Sequence, residues 1–400
     1  MLPRVDERQQ RLAELIVGYG VDLRQGQDLL LVSSTANLEL ARAVGVEAYR
    51  RGARFVDLML GDDQLKRARV QHASEDDLRY LPPAQAERYL HIGREHGARI
   101  SIQPHFAPGA LSDLDPARAG LDGYPGSDAL HEVINLRTTN WCVIPGPTPA
   151  WAEAVFPGED DAYEKLWEQM AWVCRLDSAD PPAAWRERMD ALDAVAKRLT
   201  ERRFDAVHFE GPGTDLTVGL FPSSLWRSAR TTTVDGHVYQ ANLPSEELTS
   251  TPDPLRVDGV VRSTKPLELS GTLIEGLVVR FEGGRAVQID ADRGAEALRA
   301  NAARDEGASR LGEVALVDRE GRIGQTGTVF LNTLLDENAA SHVALGSAYL
   351  DLVEEESDRG RANESAIHID FMIGSDEISV TGVTTGGERV PVLRDGTWQL

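Results

Sequence analysis

Cysteine is scarce in this sequence. Only Cys142 and Cys174 occur in 400 residues, and two thiols form neither a disulfide framework nor the four-ligand spacing of a zinc finger. Trp141 and Val143 flank the first thiol, and Val173 precedes the second. Both cysteines are therefore predicted to be small buried side chains, and a disulfide-stabilised secreted scaffold is excluded.

Long hydrophobic runs are absent as well. No stretch approaches the roughly 18 uninterrupted apolar residues of a membrane-spanning helix. Residues 1–20 carry charges where a secretion signal has its apolar segment. We therefore expect a cytoplasmic protein with no membrane partner.

Positive charge is in deficit. The chain has 42 Lys and Arg against 64 Asp and Glu, a formal net charge of −22. Such a field repels phosphate backbones, so nucleic acid is not an expected partner. The hydrophobic fraction of 42% and the charged fraction of 26% are those of an ordinary globular protein.

Several common catalytic motifs are missing. The sequence contains no HExxH motif, no P-loop and no G-x-S-x-G nucleophile elbow. The turn after the first predicted strand is SSTANLEL, without the G-x-G-x-x-G of a dinucleotide site. These absences disfavour a zincin, a nucleotide-dependent enzyme and a serine hydrolase of the common type.

The first half of the chain alternates strand and helix patterns. The length exceeds the roughly 250–300 residues at which a single core usually stops growing, so we expect two domains. A helical segment ending at Gly52 separates the first two strands, which predicts a βαβ unit. We expect residues 1–200 to form an α/β N-terminal domain with a parallel sheet. Its predicted strands are residues 29–34, 55–60, 99–104 and 140–145.

The second half has a different pattern. From Phe204 onward, short β-rich runs alternate with Gly, Asp and Pro turns. The pairs Gly283-Gly284 and Gly386-Gly387 separate apolar alternations and predict hairpins. Helices are predicted near residues 293–309 and 338–352. We expect residues 201–400 to form an α+β C-terminal domain with a mixed or antiparallel sheet that carries the functional site.

His368 and Asp370 are the most informative pair in this half. They lie two residues apart in HIDFMIG, and in a strand both side chains leave the same face. Imidazole together with carboxylates, with no cysteine nearby, suits a divalent-metal site that activates water. A buried hydrogen-bond network is the alternative, and the pattern alone leaves both open.

His342 and Tyr349 form a second pair, seven residues apart. On the predicted helix they would share one face about 10.5 Å apart. Both could then contact only a centre with two metals about 3.5–4 Å apart. Glu337 precedes this predicted helix, and Glu313 opens an apolar run typical of a strand.

Segments spread along the chain carry a resemblance to a known family. They are WAEAVFPG, CRLDSADPPAAW, FEGPGTDLTVGL, ANLPSEELTSTPD, FLNTLLDENAASHVALGSAY and NESAIHIDFMIG. At these segments the sequence resembles the thermophilic-type aminopeptidases, the family of aminopeptidase T and aminopeptidase S. Matching segments in one order along nearly the whole chain are more specific than any single motif.

The resemblance implies a function. Members are two-domain metallopeptidases that remove N-terminal residues from peptides at a dinuclear centre of divalent ions such as cobalt, zinc or magnesium. They form homodimers that enclose the active sites. By motif, the implied metal ligands are Glu247, Glu313, His342, Tyr349, His368 and Asp370.

Some residue roles stay open at this stage. Glu246 is the alternative to Glu247 within the PSEE doublet. Glu337 is a further ligand or a nearby acid, and either Glu313 or Glu337 would take the proton of the attacking water. Tyr349 would bind metal or stabilise the oxyanion.

Two other functions remain compatible with the residues. One is a metal-dependent hydrolase of other amides or esters at the same centre. The other is a non-catalytic peptide-binding protein with a structural metal.

Overall fold

A computed structural model describes residues 6–103, 111, 113–119, 121–122, 128–269 and 272–400. The chain forms two compact units. One contains the chain up to Trp185 together with Arg230–Pro244, and the other contains Arg186–Ala229 and Ser245–Leu400. The chain passes between the units more than once, whereas the sequence predicts a single change near residue 200. The boundary between the functional domains, predicted near residue 200, stays a prediction.

Helices and strands alternate in the first half, and strands dominate the second half. The α-helices of the described residues are α1 (Glu7–Leu15), α2 (Leu38–Arg50), α3 (Asp63–His72), α4 (Glu75–Arg79), α5 (Pro83–Arg94), α6 (Pro116–Ala119), α7 (Asp128–Leu136), α8 (Pro149–Val155), α9 (Ala162–Val173), α10 (Pro181–Arg202), α11 (Ala295–Ala302), α12 (Arg322–Thr326), α13 (Thr333–Asp336) and α14 (Glu356–Arg359). The strands are β1 (Asp28–Ser34), β2 (Phe55–Gly61), β3 (Ala98–Gln103), β4 (Asn140–Pro145), β5 (Ala206–Gly211), β6 (Thr214–Leu220), β7 (Arg230–Thr232), β8 (Val238–Gln240), β9 (Glu247–Ser250), β10 (Pro252–Arg262), β11 (Leu267–Leu269), β12 (Thr272–Ile274), β13 (Val278–Glu282), β14 (Arg285–Asp290), β15 (Leu311–Val317), β16 (His342–Gly346), β17 (His368–Met372), β18 (Ser379–Val383), β19 (Arg389–Arg394) and β20 (Thr397–Trp398).

The first unit is built on a parallel sheet with the strand order β2-β1-β3-β4. Strand β1 is buried along its whole length, as expected for an apolar strand that is covered on both faces. One cluster of its core contains Leu30, Val32, Met59, Tyr89 and Ile92, contributed by β1, β2 and α5. The predicted α/β fold with a parallel sheet is confirmed.

The second unit is built on antiparallel sheets. An eight-stranded sheet has the order β14-β13-β10-β6-β5-β18-β19-β20, and a four-stranded sheet has the order β17-β16-β15-β9. Gly283-Gly284 joins β13 to β14 with φ values of 53° and 81°, which favour glycine in a two-residue hairpin turn. The second predicted pair, Gly386-Gly387, lies in the turn between β18 and β19. The predicted antiparallel C-terminal sheet is confirmed.

The helix predicted over residues 338–352 is wrong. This segment forms a 3-10 turn at Glu337–Ala339, strand β16 and a second 3-10 turn at Leu350–Leu352. Every residue of β16 is buried, because it lies between β15 and β17 in the sheet. Gly346 ends the strand at φ 111°, where a Cβ atom would lie 2.1 Å from the Ile367 carbonyl oxygen.

Candidate metal centre

The four-stranded sheet of the second unit gathers acidic and imidazole side chains on one face. In the antiparallel register, Glu247 pairs with Val317 and His342 pairs with Ala315. Ala344 pairs with Asp370 on one side and with Glu313 on the other. Directly paired residues share a face, and alternation places His368 on the same face as Asp370. Five of the predicted ligands, Glu247, Glu313, His342, His368 and Asp370, therefore share this face.

Two alanines lie among these side chains. Ala315 separates Thr249 from His342 across the strands, and Ala344 separates Glu313 from Asp370. Their methyl groups leave room above the middle strands that larger side chains would fill.

Glu313 is at the centre of the cluster. Its Oε2 lies 3.0 Å from His368 Nε2, and its Oε1 lies 3.9 Å from His342 Nε2. His368 Nε2 is also 3.4 Å from Asp370 Oδ1. His342 Nε2 is 3.5 Å from Glu247 Oε2. One carboxylate therefore stands between the two imidazoles, and each imidazole has a second carboxylate beside it.

Backbone carbonyls orient both imidazoles. His368 Nδ1 lies 2.8 Å from the Ser347 carbonyl oxygen, and His342 Nδ1 lies 3.2 Å from the Ala340 carbonyl oxygen. When Nδ1–H donates to these carbonyls, Nε2 is directed toward the carboxylates with its lone pair available. This is the arrangement that metal-binding histidines usually adopt.

The donor set fits divalent ions. Within the described part of the chain, Glu247 Oε2 and Asp370 Oδ1 are buried without a hydrogen-bond partner, which is costly for carboxylate oxygens. Ligand atoms of Glu313, His368 and Asp370 lie within 4.8 Å of one another. Cations between these oxygens and the two Nε2 atoms would satisfy the unpaired groups.

Burial and mutual repulsion shift the ionisation of these groups. Burial raises the pKa of Glu247 to about 7, with Glu313 and Asp370 adding to the increase and His342 opposing it. Burial alone would lower the pKa of His368, but Asp370 and Glu313 raise it well above its usual range. The cluster therefore holds protons in the absence of metal, and cations compete with those protons for the same atoms.

Glu246 faces away from this cluster. Its Oε1 accepts a hydrogen bond of 2.8 Å from Arg188 Nε, and its Oε2 accepts one of 2.8 Å from the Arg322 backbone N–H. Arg188, on α10, also binds Asp318 through two hydrogen bonds of 2.6 and 3.0 Å. Of the two glutamates in the doublet, the structure brings Glu247 into the cluster.

The chain matches a known family of proteins. The sequence profile of the thermophilic metalloprotease family (M29) matches residues 5–398. The chain belongs to this family. The predicted family membership is confirmed.

Individual relatives are similar over nearly their full length. Aminopeptidase T of Thermus aquaticus is 42% identical, with 98% of this chain and 99% of the relative aligned. Aminopeptidase 2 of Geobacillus stearothermophilus is 36% identical over 99% of this chain and 98% of its own length. The solved structure of wild-type AmpT from Thermus thermophilus superposes with a TM-score of 0.92 at 41% identity, covering 98% of this chain and 99% of that one.

These relatives confirm the predicted activity class. Membership of the M29 family indicates metal-dependent hydrolysis of peptide bonds, and the similar proteins are aminopeptidases. The chain is a metal-dependent aminopeptidase, which implies peptide substrates and a divalent-metal cofactor. Among the described residues, no helix has both the length and the apolar character needed to cross a membrane.

Glu337 and Tyr349 also lie near the candidate metal centre. Burial, followed by the charges of Asp370 and Glu247, raises the pKa of Glu337 well above its usual range. The ring centroids of Tyr349 and His368 are 5.2 Å apart. Although 43% of Tyr349 is exposed, the buried part of its side chain and the negative charges of Glu313 and Asp370 raise its pKa. Tyr349 reaches the cluster from the loop after β16, and the helical spacing predicted for it is wrong.

Thr249 is a residue of the site that the sequence analysis missed. Its hydroxyl donates a short hydrogen bond to Glu313 Oε1 and so holds that carboxylate in place. Glu247 and Thr249 are two residues apart on β9, which puts both side chains on the same face. The same spacing argument that paired His368 with Asp370 identifies Thr249.

Proposed function

We propose that the face of the four-stranded sheet holds two divalent ions and removes N-terminal residues from peptides. Glu247, Glu313, His342, His368 and Asp370 would be ligands, and Tyr349 would approach from the exposed side. The observation that carries this proposal is that one buried carboxylate oxygen on Glu247 and one on Asp370 have no hydrogen-bond partner among the described residues. These oxygens share a face with two histidine Nε2 atoms that are directed at them.

The donor types favour zinc or cobalt over magnesium. Imidazole nitrogens are good ligands for zinc and cobalt, whereas magnesium prefers oxygen and retains water. A bound divalent ion lowers the pKa of water and polarises a carbonyl group. We therefore expect the highest activity with a metal that accepts imidazole.

The protein's own groups would divide the remaining tasks. Glu313 stands between both histidines and accepts a hydrogen bond from Thr249, which suits a bridging ligand. Glu337 is then left to take the proton of the attacking water and return it to the leaving amine. The Tyr349 hydroxyl could donate to the developing oxyanion. An acidic side chain or one of the metals would bind the free α-amine of the peptide, and that requirement would make the enzyme an exopeptidase.

Substrate blocking and metal removal test this function. The purified protein should hydrolyse aminoacyl-p-nitroanilides but not their N-acetylated forms, because an aminopeptidase requires a free α-amine. Chelation should abolish activity in proportion to the loss of metal. Elemental analysis measures the metal that remains. Full activity after complete metal removal would refute the proposal. Equal rates on blocked and free substrates would replace the aminopeptidase with a general amidase.

His368→Ala supplies the site-specific test. The variant should stay folded but lose metal, because His368 lies between Glu313 and Asp370. His72→Ala, an exposed residue at the end of α3, is the matched control and should keep its metal. Unchanged metal content in His368→Ala would remove this residue from the centre.

We also propose a cytoplasmic homodimer. Both cysteines are buried and neither forms a disulfide within the described part of the chain, which is compatible with a reducing compartment, and the family resemblance implies the dimer. Light scattering tests the assembly, and cell fractionation tests the location. A monomer at working concentration would contradict the first, and recovery outside the cytoplasm would contradict the second.

A further inference from the structure

Asn338 connects two segments that border the candidate metal centre. It lies in the 3-10 turn Glu337–Ala339 and is fully buried. Its Oδ1 accepts a hydrogen bond of 2.7 Å from the Glu246 backbone N–H and one of 3.0 Å from the Ser245 hydroxyl. Both donors directly precede strand β9. A single amide therefore joins the turn before β16 to the segment before β9.

The neighbouring groups fix the orientation of this amide. A backbone N–H can only donate a hydrogen bond, so the atom of Asn338 that faces the Glu246 N–H is the oxygen Oδ1. The nitrogen Nδ2 then donates a hydrogen bond of 3.0 Å to the Leu334 carbonyl oxygen. Each half of the amide thus has a partner of the complementary type, and the side chain has one arrangement.

The Glu337 carboxylate has no such anchor of its own. Within the described part of the chain, no group forms a hydrogen bond with this carboxylate. The turn that carries it packs against β17, and the carboxylate lies within reach of the charges on Asp370 and Glu247. Its place beside the metal-binding face therefore depends on how the turn is held.

We infer that Asn338 is a positioning residue, whose amide keeps the Glu337 carboxylate in one place relative to the ligand Glu247. The inference rests on the proposed function, in which Glu337 takes the proton of the attacking water. A general base must lie within hydrogen-bond reach of that proton, and a displacement of about 1 Å can lower the rate about 100-fold. Asn338 contacts neither metal nor substrate, because its amide is already bound to protein groups on both sides.

Ser245 borders both the amide and a ligand. Its Oγ lies 3.4 Å from Glu247 Oε1 as well as 3.0 Å from Asn338 Oδ1. A hydroxyl has one proton to donate, so Ser245 serves one of these acceptors at a time. When Asn338 is truncated, the hydroxyl can still donate to Glu247. The effect of Asn338 is therefore measured at saturating metal, where the ligands stay occupied.

Asn338→Ala tests the inference by separating kcat from KM and metal content. The variant should lower kcat by about 100-fold with unchanged KM and with its metal retained, because it alters the base and leaves the ligands in place. Asn332→Ala is the matched control. Asn332 caps helix α13 in the same segment but does not bind the segment before β9. This control should be less stable than the parent and keep the parent kcat.

A double-mutant cycle with Glu337→Gln shows whether Asn338 acts through Glu337. In the Glu337→Gln background, Asn338→Ala should lower kcat by less than about twofold more, because the group that it positions no longer serves as a base. An equal loss in both backgrounds would overturn the inference. So would a parent-like kcat in Asn338→Ala when Glu337→Gln is impaired. A parent-like kcat in Glu337→Gln would overturn the assigned base and this inference with it.

Ser245→Ala decides the question if Asn338→Ala does not fold. It removes the hydroxyl beside Asn338 and leaves the hydrogen bond from the Glu246 N–H in place. At saturating metal, kcat should fall about fivefold, the loss expected for one hydrogen bond. This loss should disappear in the Glu337→Gln background. A loss that persists there, or a parent-like kcat in Ser245→Ala itself, would contradict the positioning role.

Discussion

Replacing Arg188 with methionine should destabilise the second unit and weaken metal binding together. Arg188 joins Glu246, directly before β9, to Asp318, directly after β15. These two strands carry Glu247 and Glu313. The guanidinium therefore holds together the ends of two strands that position the metal centre.

The magnitude follows from burial. The exposed side-chain fractions are 9% for Arg188, 0% for Glu246 and 2% for Asp318. Removing one partner of a buried ion pair costs about 3–5 kcal/mol. The lower end applies here, because Glu246 keeps the Arg322 N–H and Asp318 keeps the Trp398 indole N–H. At ~2–4 °C per kcal/mol for a unit of this size, we expect about 6–12 °C of lost thermal stability.

Calorimetry of the metal-free and metal-loaded variant measures both effects. Lys197→Met is the control on the same helix, since the Lys197 side chain is 76% exposed. This control should change stability by less than about 0.5 kcal/mol. The triple variant Arg188→Met, Glu246→Gln, Asp318→Asn should recover part of the loss, because no buried charge is left unpaired. Unfolding of Arg188→Met at the temperature of Lys197→Met, with unchanged metal affinity, would refute the reasoning.

Three further predictions concern the centre and the core. Glu337→Gln should lower kcat by about 10²–10⁴ with both metals retained; loss of metal instead would make Glu337 a ligand. Metal affinity should rise with pH and binding should release protons, because burial raises the pKa of Glu247 to about 7 and its proton must leave. Calorimetry in buffers of different ionisation enthalpy measures this release, and a pH-independent affinity would contradict it. Native Cys142 should resist iodoacetamide at neutral pH, because burial raises the pKa of its thiol; rapid labelling in mass spectrometry would show an exposed thiolate.

The parallel sheet was predictable because strand and helix patterns alternate along the first half of the chain. Strand β1 is buried along its whole length, and its apolar run of only four residues, Leu29 to Val32, is too short for a helix. The short helical segment and Gly52 between β1 and β2 then favour a βαβ unit. Local pattern and tertiary structure agree here.

The helix predicted around His342 was wrong for a physical reason. Ala339, Ala340 and Ala344 are good helix formers, and His342 and Tyr349 have helical spacing. Burial between two neighbouring strands overrides that propensity, and β16 is buried at every residue. The correct neighbours of His342 come from β9, β15 and β17, which a local pattern does not identify.

The choice between Glu246 and Glu247 depends on a distant residue. Arg188, the partner of Glu246, lies 58 residues earlier in the chain.

The central claim is that one face of the four-stranded sheet holds two catalytic metal ions. Anomalous diffraction from crystals of the zinc- or cobalt-loaded enzyme tests it most directly. Two peaks about 3.5–4 Å apart are predicted, with Glu313 between them and one histidine, His342 or His368, at each. A single ion, or two ions away from this face, would contradict the claim.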